Sequence, residues 1–176
     1  TNGHRRGLTL FLILLGGVLM APPAEAQFTH TQITNSSSGT SSNASINVGG
    51  TRIAFISTGD YTGGNADGNG EIFLWTSGSG LAQITSSTAC SNYAPSVNSD
   101  GTKIAFYSDC DLTGGNADGS NEVFLWTSGS GFSQITSTTG GFNIDPSING
   151  DGTRIAFRSN RDLTGGNAVL DEEIFI

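Results

Sequence analysis

One motif recurs three times along the chain at a constant interval of 51 residues. It reads GTRIAF from Gly50, GTKIAF from Gly101 and GTRIAF again from Gly152. The tripeptide QIT recurs at the same interval, beginning at residues 32, 83 and 134. Self-similarity at a fixed period indicates a repeat architecture, in which each copy covers the apolar surface of its neighbour. The chain beyond its N-terminal segment therefore consists of just under three copies, which leave no room for a separate domain.

Within each copy, short apolar stretches alternate with Gly, Ser, Asn and Asp, a pattern typical of strands and turns. In the second copy it predicts four antiparallel strands: Pro95–Asn98, Thr102–Ser108, Glu122–Thr127 and Phe132–Thr136. The run Ile104-Ala105-Phe106 is apolar on both alternating faces, so the sheet must be covered on both sides. A sheet of about 50 residues cannot do this alone. Stacked four-stranded sheets are the design of a β-propeller.

The order GTKIAFYS, NEVFLW, QIT and PSVNSDG resembles the WD40-like propeller repeat of TolB-type proteins, over residues 28–176. The first copy departs from this pattern at Ala44 and Gly49, where the other copies have Pro and Asp. The resemblance implies a ring of about six or seven blades. The chain starts with Thr, ends at Ile176 in a strand, and is interpreted as a fragment. We expect an all-β, open arc of about three four-stranded antiparallel blades: a closing outer strand at 28–34, blade 1 at about 44–85, blade 2 at about 95–136 and a truncated blade 3 at about 146–176.

The first 26 residues have the three parts of a secretory signal peptide. Arg5 and Arg6 form a basic start, Leu8–Met20 is an apolar run, and Ala24-Glu25-Ala26 is a small-residue cleavage site. The pattern predicts cleavage after Ala26 and a secreted or periplasmic protein; an uncleaved membrane anchor is the alternative. The net charge of −8 disfavours nucleic acid and anionic lipid as partners, and no membrane insertion is expected after cleavage.

The loop between the second and third strands is rich in Asp, Asn and Gly in every copy. Its oxygen ligands, two to five residues apart around glycines, suit Ca²⁺, which takes six to eight oxygens. The alternative is that Asn and Asp cap their own turns and need no ion. Apart from this Ca²⁺, no cofactor is predicted. The candidate ligands are Asp60, Asn65, Asp67 and Glu71 in the first copy, and Asp111, Asn116, Asp118 and Glu122 in the second.

The two cysteines, Cys90 and Cys110, belong to the same copy. The strand directions place their loops at the same end of the strands, and an exported protein meets an oxidising compartment. We therefore expect a disulfide that stabilises the fold by about 3 kcal/mol. Two unpaired cysteines are the alternative.

Near-identical repeats provide the same side chains again and again, whereas an active site needs unlike groups held together. No catalytic residues are predicted. The TolB-like repeat implies a binding scaffold, most readily for a protein; the sequence does not specify whether a small-molecule or glycan ligand is bound as well. Alternatives are a Ca²⁺-binding propeller and a propeller that gates a hydrolase or lyase domain. The candidate contact residues lie outside the repeat consensus: Asn92, Tyr93, Tyr107, Phe142, Arg158 and Arg161.

Overall fold

The computed structural model describes residues 29–176, which form eleven β-strands and no helix. The strands fall into three antiparallel sheets that follow one another along the chain. The first sheet holds β1 (Ser41–Ile46), β2 (Arg52–Ser57), β3 (Glu71–Thr76) and β4 (Gly80–Gln83). The second holds β5 (Asn92–Val97), β6 (Lys103–Ser108), β7 (Glu122–Thr127) and β8 (Gly131–Gln134). The third holds β9 (Asn143–Ile148), β10 (Ile155–Ser159) and β11 (Glu173–Phe175).

Each sheet is a simple meander in which the second strand pairs with the first and the third. A Phe on the second strand lies opposite a Phe on the third in every sheet, and the two rings stack, with centroids 6.0 Å apart for Phe106 and Phe124. Aromatic cross-strand pairs of this kind stabilise sheets. The prediction of an all-β fold built from four-stranded antiparallel blades in an open arc is confirmed; the third sheet has three strands within the described residues.

The first strand of each sheet contains a β-bulge that was not predicted from the sequence. Asn43, Ala94 and Asp145 occupy the same place in their repeats and have φ angles of 51°, 45° and 54°. The pairing register shifts around each of them. A non-glycine residue in this left-handed region is strained, by about 1–2 kcal/mol.

The predicted start of the second sheet at Pro95 is wrong because of this bulge. Strand β5 begins at Asn92, which pairs with Ser108, and continues through Tyr93 opposite Tyr107. The bulge then interrupts the alternation of side chains that sequence reasoning uses to recognise a strand. Pairing resumes at Ser96.

The fourth strands end at Gln83 and Gln134, two residues before the predicted end. A threonine hydroxyl replaces the next backbone acceptor in both sheets. The amide of Ile72 donates to Thr85 Oγ1 at 2.8 Å, and the amide of Val123 donates to Thr136 Oγ1 at 2.8 Å. Side-chain bonding therefore ends the backbone ladder here.

The apolar core lies between the sheets rather than within one of them. It joins Ala54, Ile72 and Leu74 of the first sheet to Ile104 and Phe106 of the second, with Val97 and Phe124 beside them. The first two sheets therefore cover each other, as the apolar residues on both faces of the strands predicted. Strand β9 of the third sheet contacts β5, β6 and β7 of the second, and β5 also contacts β1 of the first.

Hydrogen bonds repeat at each joint between sheets. Arg52 Nη1 donates to the carbonyl oxygen of Gly101 at 2.9 Å, and Lys103 Nζ donates to that of Gly152 at 2.8 Å. Gly101 has a φ of 75°, and a Cβ there would collide with the Arg52 side chain. This turn therefore requires glycine both for its backbone conformation and for the close approach of the neighbouring blade.

The outward faces of the first and third sheets are uncovered within the described chain. Ile46 is 60 % exposed and Ile174 is 73 % exposed. Residues 29–40 form no strand, so a closing strand at 28–34 stays a prediction, and the signal peptide at 1–26 lies outside the described residues. Across residues 29–176, no helix has the length and apolarity that crossing a bilayer requires.

Candidate binding site

Four of the six predicted contact residues lie together beside the junction of the second and third sheets. Tyr93 and Tyr107 pair across β5 and β6, while Phe142 and Arg158 belong to the third repeat. Asp145 bonds Arg158, and its strand β9 packs against β5 and β6, which carry the two tyrosines. We call this set, together with Glu172, the Tyr–Arg cluster.

The two tyrosines form a stacked pair that remains partly open to solvent. Their ring centroids are 4.9 Å apart, with an interplanar angle of 17°. Burial raises the pKa of Tyr107, and the nearby Asp145 carboxylate raises it further. The Tyr107 hydroxyl therefore stays protonated at neutral pH and can donate a hydrogen bond.

Arg158 is contacted by three side chains of its own repeat. Its guanidinium donates to Asp145 Oδ2 at 3.1 Å and to Glu172, and it lies over the Phe142 ring at 5.5 Å from the centroid. The hydrogen bonds to Glu172 and Asp145 raise the pKa of Arg158. The two carboxylates are 57 % and 54 % exposed. Ion pairs this exposed contribute little to stability, so their main effect is to orient the guanidinium at the surface.

Asp145 occupies the strained bulge of β9 and lines a groove of about 310 Å³ between the first strands. Asn43 and Ala94, the equivalent residues of the other sheets, line the same groove. Strained non-glycine residues persist only where the surrounding structure holds them in place, and they cluster at functional sites. The Tyr–Arg cluster therefore adjoins a polar groove that continues along the arc.

Two of the predicted contact residues lie outside this cluster. Asn92 is fully buried and donates to Glu71 Oε2 at 2.9 Å, so its placement on a partner surface is wrong. The structure places Arg161 against Gly141 rather than with the cluster. Asp145 and Glu172 were not predicted as contact residues. Asp145 could have been found, because it is the one acid at a repeat position that otherwise holds Asn43 and Ala94.

The predicted Ca²⁺ ligands of the second repeat are occupied by protein donors. Asp111 Oδ1 accepts from the Asn116 amide at 3.0 Å, and Asp118 Oδ2 accepts from the Gly140 amide at 2.8 Å. Glu122 is fully buried, and its Oε1 accepts from the Thr138 amide at 2.6 Å. These contacts are the turn and linker chemistry that was the alternative to ion binding.

The corresponding loop of the first repeat is organised differently. Asp60 Oδ1 accepts from the Asn65 amide at 3.2 Å. Glu71, also fully buried, accepts from the Ser87 amide at 2.6 Å. The side-chain carbonyl oxygens of Asn65 and Asn69 are buried without a hydrogen-bond partner. Asp60 and Glu71 thus serve the fold, while Asn65 and Asn69 retain unused acceptors.

Cys90 and Cys110 are disulfide-bonded in the structure, with their Cα atoms 5.4 Å apart. The bond joins the linker before β5 to the loop after β6, both in the second repeat. Asp109 lies beside the two sulfurs, and across residues 29–176 these three residues form the one cluster of Cys, His, Asp or Glu ligand atoms. Sulfurs in a disulfide are not thiolates, so this cluster is not a metal site.

His30 is the one histidine of the described residues, and it is exposed. It belongs to no cluster of ligand-type side chains in that part of the chain. The absence of catalytic residues stays a prediction.

Comparison with known proteins gives structural neighbours only. No protein-family model matches the chain, and no curated protein matches its sequence. The fold is similar to that of TolB from Acinetobacter baumannii, with a TM-score of 0.50 and 19 % identity, over 75 % of this chain and 28 % of that one. It is also similar to a TolB protein from Agrobacterium tumefaciens, with a TM-score of 0.52 and 19 % identity, over 75 % of this chain and 40 % of that one. The chain thus spans less than half the length of these proteins.

The meandering four-stranded sheets, their radial stacking and the open ends define an arc of a β-propeller. The architecture is TolB-like.

Proposed function

We propose that the chain is part of an exported, non-catalytic propeller that binds a protein partner through the Tyr–Arg cluster. The observation that supports this proposal is the convergence of Tyr93, Tyr107, Phe142 and Arg158, with two exposed carboxylates, at a single surface. Tyr and Arg are the residue types that most often dominate binding energy at protein interfaces.

The repeat pattern supports a role in recognition rather than in folding. At the repeat position of Tyr107 and Arg158 the first sheet has Ile56, and at that of Tyr93 it has Ser42. The fold is therefore built without these side chains in the first sheet. Aromatic rings that are partly exposed and already stacked lose little conformational entropy on binding. A partner with an acidic or amide-rich surface and an apolar centre would complement the guanidinium and the rings.

The export of the protein is part of the same proposal. The basic, apolar and small-residue segments of residues 1–26 support it. A disulfide between Cys90 and Cys110 also fits an oxidising compartment.

Site-specific photo-crosslinking tests this proposal. Benzoylphenylalanine is placed at Phe142 in the cluster, or at Phe132 on β8 as a control remote from the cluster. The chain is expressed with its own N-terminal segment, and crosslinked partners are identified by mass spectrometry. We expect one protein to be captured from position 142 and not from position 132.

A pair of matched arginine variants then tests whether the cluster determines affinity. Arg158→Ala should weaken binding of the purified partner by about tenfold or more, as expected for an interface hot spot. Arg154→Ala removes an exposed arginine at the start of the same hairpin and should leave the affinity within about twofold. Equal losses in both variants, or equal capture from both positions, would show that the partner binds elsewhere.

A further inference from the structure

The loop before β3 places three side-chain oxygen ligands at alternate positions. Asn65, Asp67 and Asn69 are followed by Gly70 in the sequence NADGNG. The second repeat has Ser120 where the first has Asn69, and the third has Val169 where the first has Asp67. Carbonyl and carboxylate oxygens at such spacing are suited to a hard cation.

Two of these oxygens are buried and have no donor. Asn65 is 2 % exposed, and its Oδ1 meets no hydrogen-bond partner; the same holds for Asn69 Oδ1. A buried acceptor without a partner destabilises the fold. Two such acceptors in one five-residue segment therefore indicate a missing ligand.

The other two loops show where the Asn65 oxygen is aimed. Asn116 Oδ1 accepts from the hydroxyl of Ser120 at 3.4 Å, and Asn167 Oδ1 accepts from the amide of Asp171 at 3.1 Å. In both cases the donor belongs to the residue four positions further along. In the first loop that residue is Asn69, so Asn65 Oδ1 is aimed at Asn69, from which it receives no hydrogen bond.

Asn69 does not supply the donor because its amide nitrogen is engaged elsewhere. Its Nδ2 donates to the carbonyl oxygens of Ser87 at 2.9 Å and Cys90 at 2.7 Å. An amide flip would abandon both bonds. The carbonyl oxygens of Asn65 and Asn69 are therefore both left without a donor in one loop, and a positive charge or a proton donor is needed there.

We propose that this loop binds Ca²⁺ through Asn65 Oδ1, Asn69 Oδ1 and the Asp67 carboxylate, with water completing the coordination. Asp67 is exposed and accepts no side-chain hydrogen bond from residues 29–176, so its carboxylate is available to an ion. The larger Ca²⁺ tolerates an irregular set of carbonyl ligands, whereas Mg²⁺ demands octahedral geometry. With a single full negative charge among the ligands, the dissociation constant should be about 1 mM, in the range of extracellular modules.

Thermal unfolding of the whole chain tests the site directly. Addition of 10 mM CaCl₂, at constant ionic strength, should raise Tm by about 3–5 °C. Ten millimolar MgCl₂ should raise it by less than about 1 °C. Asp67→Asn should abolish the Ca²⁺ effect, and it should fold normally because the exposed carboxylate holds no part of the loop.

Asp118→Asn is the matched control, since Asp118 occupies the same position in the second loop, where Ser120 already fills the space between the acceptors. It should lower the starting Tm yet retain the full Ca²⁺-dependent rise. Asn69→Ser should abolish the rise by copying the second loop. An unchanged Tm with Ca²⁺ would overturn the proposal. A rise that survives in Asp67→Asn but is lost in Asp118→Asn would also overturn it.

Discussion

Replacement of Glu122 by Gln should destabilise the protein by about 3 kcal/mol. Glu122 begins β7 and is fully buried. Its Oε1 accepts from the amide of Thr138 at 2.6 Å and from its hydroxyl at 2.7 Å, and its Oε2 accepts from Asn143 Nδ2 at 3.0 Å. The carboxylate thus connects β7 of the second sheet with the linker that follows this sheet and with β9, the first strand of the third sheet.

The magnitude follows from what an amide cannot do in this place. Whichever way the Gln side chain turns, its NH₂ group faces at least one donor, and a buried donor without an acceptor costs about 1–3 kcal/mol. The remaining bonds lose their negative acceptor, and neutral hydrogen bonds are weaker than charged ones by about 1 kcal/mol each. One unpaired donor and one or two weakened bonds give about 3 kcal/mol.

The assay is urea denaturation at pH 7, followed by the fluorescence of Trp75 and Trp126. Glu173→Gln is the matched control, because Glu173 holds the same position in the third sheet but is exposed. It should change the free energy of unfolding by about 0.5 kcal/mol or less. A cost below about 1 kcal/mol for Glu122→Gln, or an equal cost for the two variants, would show that the buried carboxylate does not hold the linker.

Two further predictions concern the disulfide and acid stability. Joint replacement of Cys90 and Cys110 by Ser should lower the free energy of unfolding by about 3 kcal/mol. Peptide mapping of the unaltered protein without reductant should find the two cysteines in one crosslinked fragment. Separate peptides, each with a free thiol, would contradict this prediction. Hydrogen bonds from the Gly140 and Ser120 amides lower the pKa of Asp118 below its ordinary value, so its contribution is complete above about pH 4 and is lost as the pH falls further. Asp118→Asn should therefore flatten the acid side of the stability curve below about pH 4; an unchanged slope there would show that the carboxylate contributes nothing.

The architecture could be predicted because two independent signals agreed. The repeat period set the length of the unit, and the apolar residues on both faces of β6 and β7 required cover from neighbouring sheets. The bulges could not be predicted in the same way. Left-handed backbone at Ala94 has no side-chain signature, since such positions usually carry glycine, Asn or Asp. The strand assigned from Pro95 therefore began three residues late.

The candidate site was predicted in part. Tyr93, Tyr107, Phe142 and Arg158 stood out because they differ from the repeat consensus. Asn92 was misassigned, although its recurrence as Asn143 indicated a structural role shared by two sheets. Asn92 donates to the buried Glu71, and Asn143 donates to the buried Glu122.

Glu71 and Glu122 were predicted as metal ligands because a sequence does not show which linker will fold back onto a carboxylate. Their donors come from Ser87 and Thr138, both 16 residues further along the chain. Whether a carboxylate is free or engaged depends on such tertiary contacts. Conversely, Asn69 was overlooked because its unused carbonyl oxygen becomes apparent only when its neighbours are in place.

The joints between sheets have a consequence for how such a chain can change its length. The amide of Val97 donates to Ser45 Oγ at 3.0 Å, and that of Ile148 donates to Ser96 Oγ at 3.1 Å. Equivalent residues of successive repeats therefore form the same hydrogen bond at each boundary between sheets. If recombination removed or added one whole 51-residue repeat in frame, the repeats on either side would still present complementary edges to each other. The number of blades could therefore change without any new type of contact.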